Sequence, residues 1–200
     1  MFKNGAADLK PLHRIKLYLA LLHHPVRSKD GSTIASAITS IDLHDIARAA
    51  RTYGVSGFYV VTPLADQQAF AQKIIGHWTD GAGAVYNPDR SRALALIRIR
   101  ESLNQVTTEI RRQEDLPVRV VATSAANSPN QTGYPELSRA LAKQDAAWVL
   151  ALGTAWGLTA EFMDDADFRL APISTGSGYN HLSVRSAAAI MLDRLLGREF

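Results

Sequence analysis

Residues 38–63 read I-T-S-I-D-L-H-D-I-A-R-A-A-R-T-Y-G-V-S-G-F-Y-V-V-T-P, and this stretch decides the fold class. Its first half predicts a helix, in which Asp42 is placed to cap the start and Gly54 to end it. The apolar residues of that helix recur at helical spacing on one face: Leu43, Ile46, Ala47, Ala50 and Tyr53. Residues 57–62 then predict a strand that Pro63 stops. A helix that leads directly into an apolar strand is typical of a parallel α/β sheet.

The same alternation of strands and helices continues on both sides of this stretch. Further strands are predicted at residues 15–22, 118–123, 147–152 and 169–173. Further helices are predicted at residues 66–78, 91–113, 136–143, 158–163 and 182–196. The chain is therefore predicted to form one α/β domain over residues 1–200, with a basic arm at residues 1–14. Its mostly parallel sheet is expected to have about five or six strands, with helices on both faces.

Composition excludes several classes of protein. The 200-residue chain is 46% hydrophobic, and it contains neither an apolar run of roughly 20 residues nor an apolar signal-peptide core. It has no cysteine for disulfides or metal ligands, and its six histidines offer only the adjacent pair His23 and His24. The P-loop pattern is absent as well. We therefore expect a cytoplasmic protein without a membrane segment, a bound metal or a P-loop nucleotide site.

Positive charge is unevenly distributed along the chain, although the net charge is only +3. Residues 1–29 hold six Lys and Arg against one acidic residue, and residues 90–112 hold six Arg against two Glu. The arginines of the second block lie opposite the apolar face of the predicted helix at residues 91–113. Such blocks form either solvated helix faces or phosphate-binding surfaces, and both interpretations remain open.

Three loops with unusual sequences follow predicted strands, at residues 123–125, 152–158 and 174–183. Because ligands of open α/β sheets bind beyond the carboxyl ends of the strands, these loops could line one crevice. Glycines in the latter two would allow backbone amides to approach a ligand closely. Ordinary turn formation is the alternative for each loop taken alone. No phosphate cradle is present, so a ligand at this position is expected to lack a phosphate chain.

Three segments also resemble the motifs of one protein superfamily. Residues 38–63 resemble the first motif of the SPOUT superfamily, the S-adenosylmethionine-dependent RNA methyltransferases with a trefoil knot. The loop L-G-T-A-W-G-L at residues 152–158 resembles the second motif, and residues 170–197 resemble the third. More narrowly, D-L-H-D-I-A-R, G-T-x-W-G-L and Y-N-H-L-S-V-R-S-A are similar to a bacterial family of predicted RNA methyltransferases. Ala155 departs from the pattern of that family, which has glycine there.

This resemblance implies a C-terminal trefoil knot, a homodimer and S-adenosylmethionine as the cofactor. It also implies methylation of a nucleotide in transfer RNA or ribosomal RNA, on the ribose 2′-oxygen or on the base. Carried over position by position, the cofactor-binding residues are Thr123, Ser124, Leu152, Gly153, Thr154, Gly157, Ile173, Ser174, Tyr179, Asn180 and Leu182. The active site is expected at the interface between the two subunits.

The same resemblance assigns catalytic roles to Arg48, Ser183 and Asn180. Arg48 matches a functional arginine of related ribose 2′-O-methyltransferases, whereas a surface salt bridge with Asp45 is the structural alternative. Asn180 could equally cap the last helix, and Ser183 could bond to the backbone of its first turn.

RNA contacts are implied for His44, Arg51 and Arg185. His44, Arg48 and Arg51 share one face of the predicted helix, so this stripe could meet a phosphate or the reacting ribose. For His44 a purely structural role is an equal alternative, and Arg185 could instead contact the dimer partner.

Two other functions remain open on the sequence alone. One is a catalytically inactive homodimer of the same fold that binds RNA, which Ala155 and the lack of an obvious general base would fit. The other is an α/β hydrolase with Ser183 as the nucleophile beside His181, although the G-x-S-x-G elbow is absent.

Overall fold

The structure of the chain is a computed structural model that describes residues 15–197. The predicted basic arm, residues 1–14, lies outside the described residues. The strands are β1 (Leu17–Leu22), β2 (Val26–Arg27), β3 (Thr33–Ile34), β4 (Gly57–Val61), β5 (Ile97–Arg100), β6 (Val118–Thr123), β7 (Ala147–Gly153) and β8 (Phe168–Leu170). The helices are α1 (Ser40–Thr52), α2 (Ala65–Thr79), α3 (Ala82–Tyr86), α4 (Pro88–Leu94), α5 (Leu103–Glu114), α6 (Tyr134–Leu141), α7 (Ala160–Asp165) and α8 (Val184–Leu196).

Six of the strands form one parallel sheet in the order β5-β4-β1-β7-β6-β8. β1 and β7 occupy its centre and are buried along almost their whole length, because LYLALL and AWVLALG are nearly continuous apolar runs. The predicted parallel sheet is therefore confirmed, and so is the central position of the strand predicted at residues 147–152.

Helices cover both faces of the sheet, and each face has its own hydrophobic core. Successive residues of β1 point to opposite faces. Leu19 and Leu21 pack in a core with apolar residues of α1, α2, α4, α6 and α8. Tyr18 and Ala20 pack in a second core with α5 and α7. The prediction of helices on both faces is confirmed.

The predicted long helix at residues 91–113 is wrong. This stretch instead contains the end of α4, the whole of β5 and nearly all of α5. The sequence I-R-I-R of β5 alternates with a period of two, which fits a strand. Ser102 then starts a new helix by accepting a hydrogen bond from the backbone N–H of Gln105 at 3.3 Å. Pairing of β5 with β4 outweighs the helical spacing of the apolar residues.

α1 begins at Ser40, two residues before the predicted start, because Thr39 rather than Asp42 is its N-cap. The Thr39 hydroxyl accepts a hydrogen bond from the backbone N–H of Asp42 at 3.4 Å and donates to the Asp42 carboxylate at 2.6 Å. Thr39 therefore caps the helix through its hydroxyl, which the Asp42 carboxylate holds in place. The predicted cap at Asp42 is wrong, whereas Gly54 follows the helix end with a φ of +70°, as expected.

The second basic block of the sequence is divided between the two faces of the sheet. Arg98 and Arg100 of β5 form ion pairs with Glu109 of α5, at 3.2 and 2.5 Å. Arg112 lies exposed in the last turn of α5, on the face of the second core. Arg90 lies on α4, against the opposite face. The block is therefore not one continuous basic helix.

Candidate functional site

Three parallel strands end side by side at the carboxyl edge of the sheet. Leu22, the last residue of β1, pairs with Val61 of β4 on one side and with Gly153 of β7 on the other. β4 and β5 lie on one side of β1, whereas β6, β7 and β8 lie on the other. The chain therefore adds strands in opposite directions on the two sides of β1. In an open α/β sheet, such a reversal of strand order opens a crevice for ligands at the strand ends.

The loop after β7 folds back tightly on itself. A Cβ atom on Gly153 would lie 2.6 Å from the backbone nitrogen of Leu158, so the loop closes only around a glycine. Gly157 has a φ of +94°. Ala155 has a φ of +50°, in the left-handed region, which accounts for glycine in the pattern that this loop resembles.

A hairpin that was not predicted, formed by β2 and β3, holds this loop. The backbone N–H of Arg27 donates to the carbonyl oxygen of Gly157 at 2.9 Å, and that of Trp156 donates to Arg27 at 3.1 Å. The Arg27 guanidinium also donates to the carbonyl oxygen of Trp156 at 3.1 Å. Val26 adds an antiparallel bridge to Leu158. Strands of two residues have too little periodicity to be recognised in a sequence.

A chain of side-chain hydrogen bonds connects the same hairpin to the ends of β1 and β7. The Thr154 hydroxyl donates to the carbonyl oxygen of Leu22 at 2.9 Å and lies 2.6 Å from the Ser36 hydroxyl. The Ser36 hydroxyl lies 3.0 Å from Nδ1 of His23. Because each hydroxyl has one proton, Ser36 donates to Thr154 and accepts from His23. The proton of the neutral imidazole is therefore assigned to Nδ1.

His23 is the buried end of this chain. The residue is 1% exposed, and its Nε2 has no hydrogen-bond partner among residues 15–197. Burial lowers the pKa of His23 to about 4, against the opposing effect of the Asp42 charge and of nearby backbone groups. The ring is therefore neutral at physiological pH. No functional role was predicted for His23, although its position directly after an all-apolar strand was a usable signal.

The third predicted loop, at residues 174–183, offers mainly backbone groups. Residues 172–182 form no backbone–backbone hydrogen bond with any described residue. Their local bonds are to the hydroxyl groups of Ser174 and Ser177. Because backbone N–H and C=O groups require partners, a stretch of this kind is suited to bind a polar ligand.

Asn180 does not cap the last helix, which was the structural alternative for this residue. Ser183 is the N-cap of α8, so the local backbone bond considered for its hydroxyl is observed. The Ser183 hydroxyl accepts a hydrogen bond from the backbone N–H of Ser186 at 3.3 Å. Asn180 instead donates from Nδ2 to the carbonyl oxygen of Ala125 at 2.8 Å. This bond joins the third loop to the loop after β6. The structure thus brings the three predicted loops together at one edge of the sheet.

The other predicted cofactor residues support this edge. The Thr123 hydroxyl donates to the carbonyl oxygen of Ala151 at 2.8 Å and so joins the ends of β6 and β7. Leu152 and Ile173 are buried in the core. The Ser124 hydroxyl accepts a hydrogen bond from the turn that follows it, at 3.1 Å. These side chains contribute to the shape of the edge, and their own hydrogen bonds are directed into the protein.

The guanidinium group of Arg48 on α1 is exposed and forms no hydrogen bond or ion pair with any described residue. Asp45, its structural alternative as a partner, lies 3.5 Å from Nε of Arg185. Nη1 of Arg185 also lies 3.2 Å from the Asp42 carboxylate, so Arg185 joins α8 to α1 within the subunit. Arg51, about one turn beyond Arg48, is exposed as well.

His44 lies partly buried on the same helix. Its ring stands edge-to-face to Trp78, with 5.5 Å between the ring centroids. Burial lowers the pKa of His44, and the Arg90 and Arg48 guanidinium groups lower it further, whereas Asp45 acts in the opposite direction. Its Nδ1 has no partner in the described part of the chain.

Large apolar side chains are exposed around the carboxyl edge. They lie at the start of α1 and in the loops after β4, after β7 and before α8: Ile41, Leu64, Trp156, Tyr179 and Leu182. Exposed apolar groups that gather at one edge indicate a surface that a ligand or another molecule covers.

Neither a metal site nor a membrane helix is found in the described part of the chain. Among residues 15–197, no group of three or more His, Asp or Glu side chains could hold a metal ion. No helix in this range combines the length and the apolar character needed to cross a membrane. The cytoplasmic location stays a prediction.

Nearly the whole chain, residues 16–197, matches the family model described as SAM-dependent RNA methyltransferase. The chain belongs to this family. The family is the one that the resemblance implied, and its description names S-adenosylmethionine as the cofactor.

Relatives of this methyltransferase differ in length. Proteins named tRNA (guanine-N(1)-)-methyltransferase, from Oleidesulfovibrio alaskensis and Nitratidesulfovibrio vulgaris, are 40% and 42% identical over 181 residues. The match covers 90% of this chain but only 42% of each of those proteins. An uncharacterized protein from Aquifex aeolicus is 37% identical over 182 residues, which cover 91% of this chain and 89% of that protein. The name of the two longer relatives thus describes proteins of which this chain spans less than half.

Solved structures share the fold. A probable methyltransferase from Bordetella pertussis Tohama I has a TM-score of 0.59 at 17% identity, and the match covers 90% of this chain and 94% of that one. The SpoU methyltransferase AviRb from Streptomyces viridochromogenes, in complex with AdoMet, has a TM-score of 0.53 at 18% identity, with 93% and 61% covered. The methyltransferase thus has the SpoU type of α/β fold. The trefoil knot stays a prediction.

The carboxyl edge fits S-adenosylmethionine. The adenine of that cofactor needs hydrogen-bonding partners along its edges, and the cofactor has no phosphate. Residues 172–182 supply backbone groups without backbone partners in the described range, and Tyr179 and Leu182 supply exposed apolar surface for a ring.

Proposed function

We propose that this methyltransferase transfers the methyl group of S-adenosylmethionine to the ribose 2′-hydroxyl of a nucleotide in transfer RNA. The observation that carries the proposal is the free guanidinium group of Arg48, since Asp45 is paired with Arg185 instead. An uncompensated arginine in an RNA methyltransferase favours a phosphate, or the negative charge that develops on a ribose oxygen, as its partner.

The cofactor is proposed to lie between the three loops at the carboxyl edge. Ile173 and Ser174 would offer backbone atoms to the adenine, and residues 179–182 would close over it. Residues 152–157 would form the opposite wall, which the β2–β3 hairpin holds in place. When bound, S-adenosylmethionine supplies a methyl group on a positively charged sulfur. The protein's own contribution is to align the acceptor oxygen with that methyl group and to exclude water.

Arg48 is proposed to act on the crevice of a second subunit. It follows Asp42 by six residues on α1, or about 9 Å along the helix axis away from the carboxyl edge. Within one subunit the guanidinium group would thus lie below the crevice. A homodimer in which each subunit covers the carboxyl edge of the other would bring Arg48 of the partner subunit to the reacting ribose. The exposed side chains of Ile41 and Leu182 support such a contact.

Transfer RNA is proposed as the substrate because of the relatives in which this domain occurs. The matched domain makes up 42% of two proteins named tRNA (guanine-N(1)-)-methyltransferase, and the match covers 89% of a third protein. A domain joined to a tRNA methyltransferase is expected to act on the same class of RNA. The methylation of guanine N1 that the name describes is then attributed to the remaining part of the longer proteins.

The test is methyl incorporation followed by nucleoside analysis. The full chain is incubated with isotopically labelled S-adenosylmethionine and with bulk bacterial transfer RNA or ribosomal RNA, and the digested RNA is analysed by mass spectrometry. We expect the label on a 2′-O-methylated nucleoside of transfer RNA. Label in 1-methylguanosine would contradict the ribose 2′-hydroxyl as the acceptor. Label in ribosomal RNA alone would contradict transfer RNA as the substrate. Cofactor binding without incorporation into any RNA would favour the inactive RNA-binding homodimer.

A further inference from the structure

Trp78, near the end of α2, connects three helices away from the cofactor loops. Its ring stands edge-to-face to His44 of α1. The guanidinium carbon of Arg90 in α4 lies 4.4 Å from the centroid of the same ring. A Cβ atom on Gly83 in α3 would lie 2.7 Å from an atom of the ring, so α3 touches it directly. Trp78 therefore fixes where the basic side chains of α1 and α4 stand relative to one another.

Arg90 has no carboxylate partner among the described residues. The acidic side chains of the two helices concerned are paired elsewhere. Asp89 of α4 pairs with Arg92 at 3.2 Å, and Asp42 and Asp45 of α1 pair with α8. Stacking on an aromatic ring holds a guanidinium in place without removing its charge. The positive charge of Arg90 is thus both fixed in position and uncompensated.

Arg90 and Arg48 contribute positive charge to the same region of the surface, here called the charged field around His44. α1 and α4 pack against each other, and both guanidinium groups lie close enough to His44 to lower its pKa. Two arginines therefore lie near His44 on two adjacent helices. Asp45 lies near His44 as well, but its carboxylate is paired with Arg185. Such a field attracts an anionic polymer more strongly than it attracts a single small anion.

An exposed aromatic ring lies next to this field. Tyr86 and Val85, at the end of α3, are 85% and 86% exposed. Asn87 follows Tyr86 and caps α4 by accepting a hydrogen bond from the backbone N–H of Arg90 at 3.0 Å. Only Asn87 therefore separates Tyr86 from the helix that carries Arg90. Exposed aromatic rings beside arginines are the usual means by which proteins hold unpaired bases.

We propose that Arg90 and Tyr86 form an RNA-binding surface beside Arg48 and outside the cofactor crevice, here called the Arg90 surface. Arg90 contacts a phosphate group of the RNA substrate, and Tyr86 stacks on an unpaired base beside the methylated nucleotide. This proposal rests on the proposed function and adds to it the contacts that select the RNA. A second copy of the chain is the alternative occupant, which the experiment below distinguishes by gel filtration.

The experiment measures the affinity of the full chain for bulk bacterial transfer RNA at several salt concentrations between about 50 and 200 mM. Arg90→Ala is expected to weaken binding and to reduce the slope of log K against log[salt] by about 0.7 to 0.9, the loss of one phosphate contact. Tyr86→Ala is expected to weaken binding about fivefold or more with an unchanged slope, and Tyr86→Phe to restore it. Neither change should alter the affinity for S-adenosylmethionine.

Arg112→Ala is the matched control, because Arg112 is exposed on α5 at the opposite face of the sheet. Unchanged affinity and slope in both Arg90→Ala and Tyr86→Ala, with salt-dependent binding by the wild type, would overturn the proposal. So would a shift of Tyr86→Ala from dimer to monomer in gel filtration without loss of RNA affinity. If the wild-type chain methylates transfer RNA, either of these two outcomes contradicts only the Arg90 surface and not the proposed function. If the wild-type chain binds S-adenosylmethionine but no RNA, both the Arg90 surface and the proposed function are contradicted.

Discussion

The hydroxyl groups of Ser36 and Thr154, which are 118 residues apart in the sequence, lie 2.6 Å from each other. This contact joins the β2–β3 hairpin to the loop after β7. The Ser36 hydroxyl also accepts a hydrogen bond from Nδ1 of His23, so three side chains position one wall of the cofactor crevice. Two of the three, His23 and Ser36, lie outside the predicted cofactor-binding residues and hold the wall through Thr154.

Replacing Ser36 with alanine is expected to weaken S-adenosylmethionine binding about five- to tenfold. The change removes a hydrogen bond worth roughly 1 kcal/mol and leaves His23 and Thr154 without their shared partner. Calorimetry measures the effect. Ser36→Thr keeps the hydroxyl and should restore the affinity, and Ser32→Ala in the turn of the same hairpin is the control. Wild-type affinity in S36A would contradict the positioning role.

Stability is expected to fall in mild acid because of His23. Burial lowers the pKa of His23 from 6.5 to about 4, so between these values the unfolded chain binds a proton that the folded chain does not. The contribution of the neutral ring is complete above pH 6.5 and is lost as the pH falls towards 4, by roughly 3 kcal/mol. Urea unfolding between about pH 7 and pH 5 measures roughly 2 kcal/mol of this loss.

The His23→Gln variant should show a weaker pH dependence of the urea midpoint than the wild type. His44 acts in the same direction, since its pKa is also lowered, and it is present in both chains. His24→Gln changes the neighbouring ring, which is outside the hydrogen-bond chain, and should follow the wild type. Equal slopes in H23Q and the wild type would show that another group causes the acid sensitivity.

Arg48→Ala is expected to reduce kcat/KM for RNA methylation by about 100-fold or more while the affinity for S-adenosylmethionine stays unchanged. The guanidinium has no described partner whose loss would destabilise the fold. Initial rates of methyl incorporation and calorimetry separate the two effects. Arg112→Ala serves again as the control, and wild-type turnover in R48A would remove Arg48 from the catalytic residues.

Gly153→Ala is expected to destabilise the loop after β7 by about 1 to 3 kcal/mol and to abolish tight cofactor binding. The added Cβ would lie 2.6 Å from the backbone nitrogen of Leu158, so the loop would have to move. Gly76→Ala is the matched control, because a Cβ at that helical position meets no atom within 4 Å. Urea unfolding and calorimetry measure the two effects, and unchanged values for both in G153A would contradict the tight turn.

The R48A and G153A chains together also test the shared active site. If Arg48 acts across the dimer, a mixed dimer has one crevice with an intact loop and an intact arginine from the partner. Mixing the two inactive chains should then recover methylation. A mixture that forms mixed dimers but recovers no activity would place Arg48 at the crevice of its own subunit.

Ala155→Gly is expected to stabilise the protein by about 0.5 to 1 kcal/mol. At a φ of +50° alanine is strained by roughly 1 to 2 kcal/mol, which exceeds the entropic cost of introducing glycine. Ala155 is exposed, so no buried contact is lost. Urea unfolding measures the gain, and a destabilised A155G would mean that the methyl group supports the loop.

Patterns that repeat within one segment were sufficient for most of the fold. The apolar runs of β1 and β7 predict central strands, and the spacing of Leu43, Ile46 and Ala50 predicts α1. β5 was missed because the apolar residues around it also fall at helical steps. The caps at Thr39 and Ser183 were displaced by a few residues, since several neighbouring polar side chains could serve as caps.

The sequence by itself determined the α/β class, the order of most elements and the family, because each rests on contiguous residues whose chemistry is read locally. Only the tertiary structure decided that Ser36 meets Thr154, that Arg185 takes the carboxylates of Asp42 and Asp45, and that Arg48 therefore stays free. A hydrogen bond or ion pair needs its atoms within about 3 to 4 Å. Strand order and helix packing bring residues more than 100 positions apart to that distance, and no local pattern encodes it.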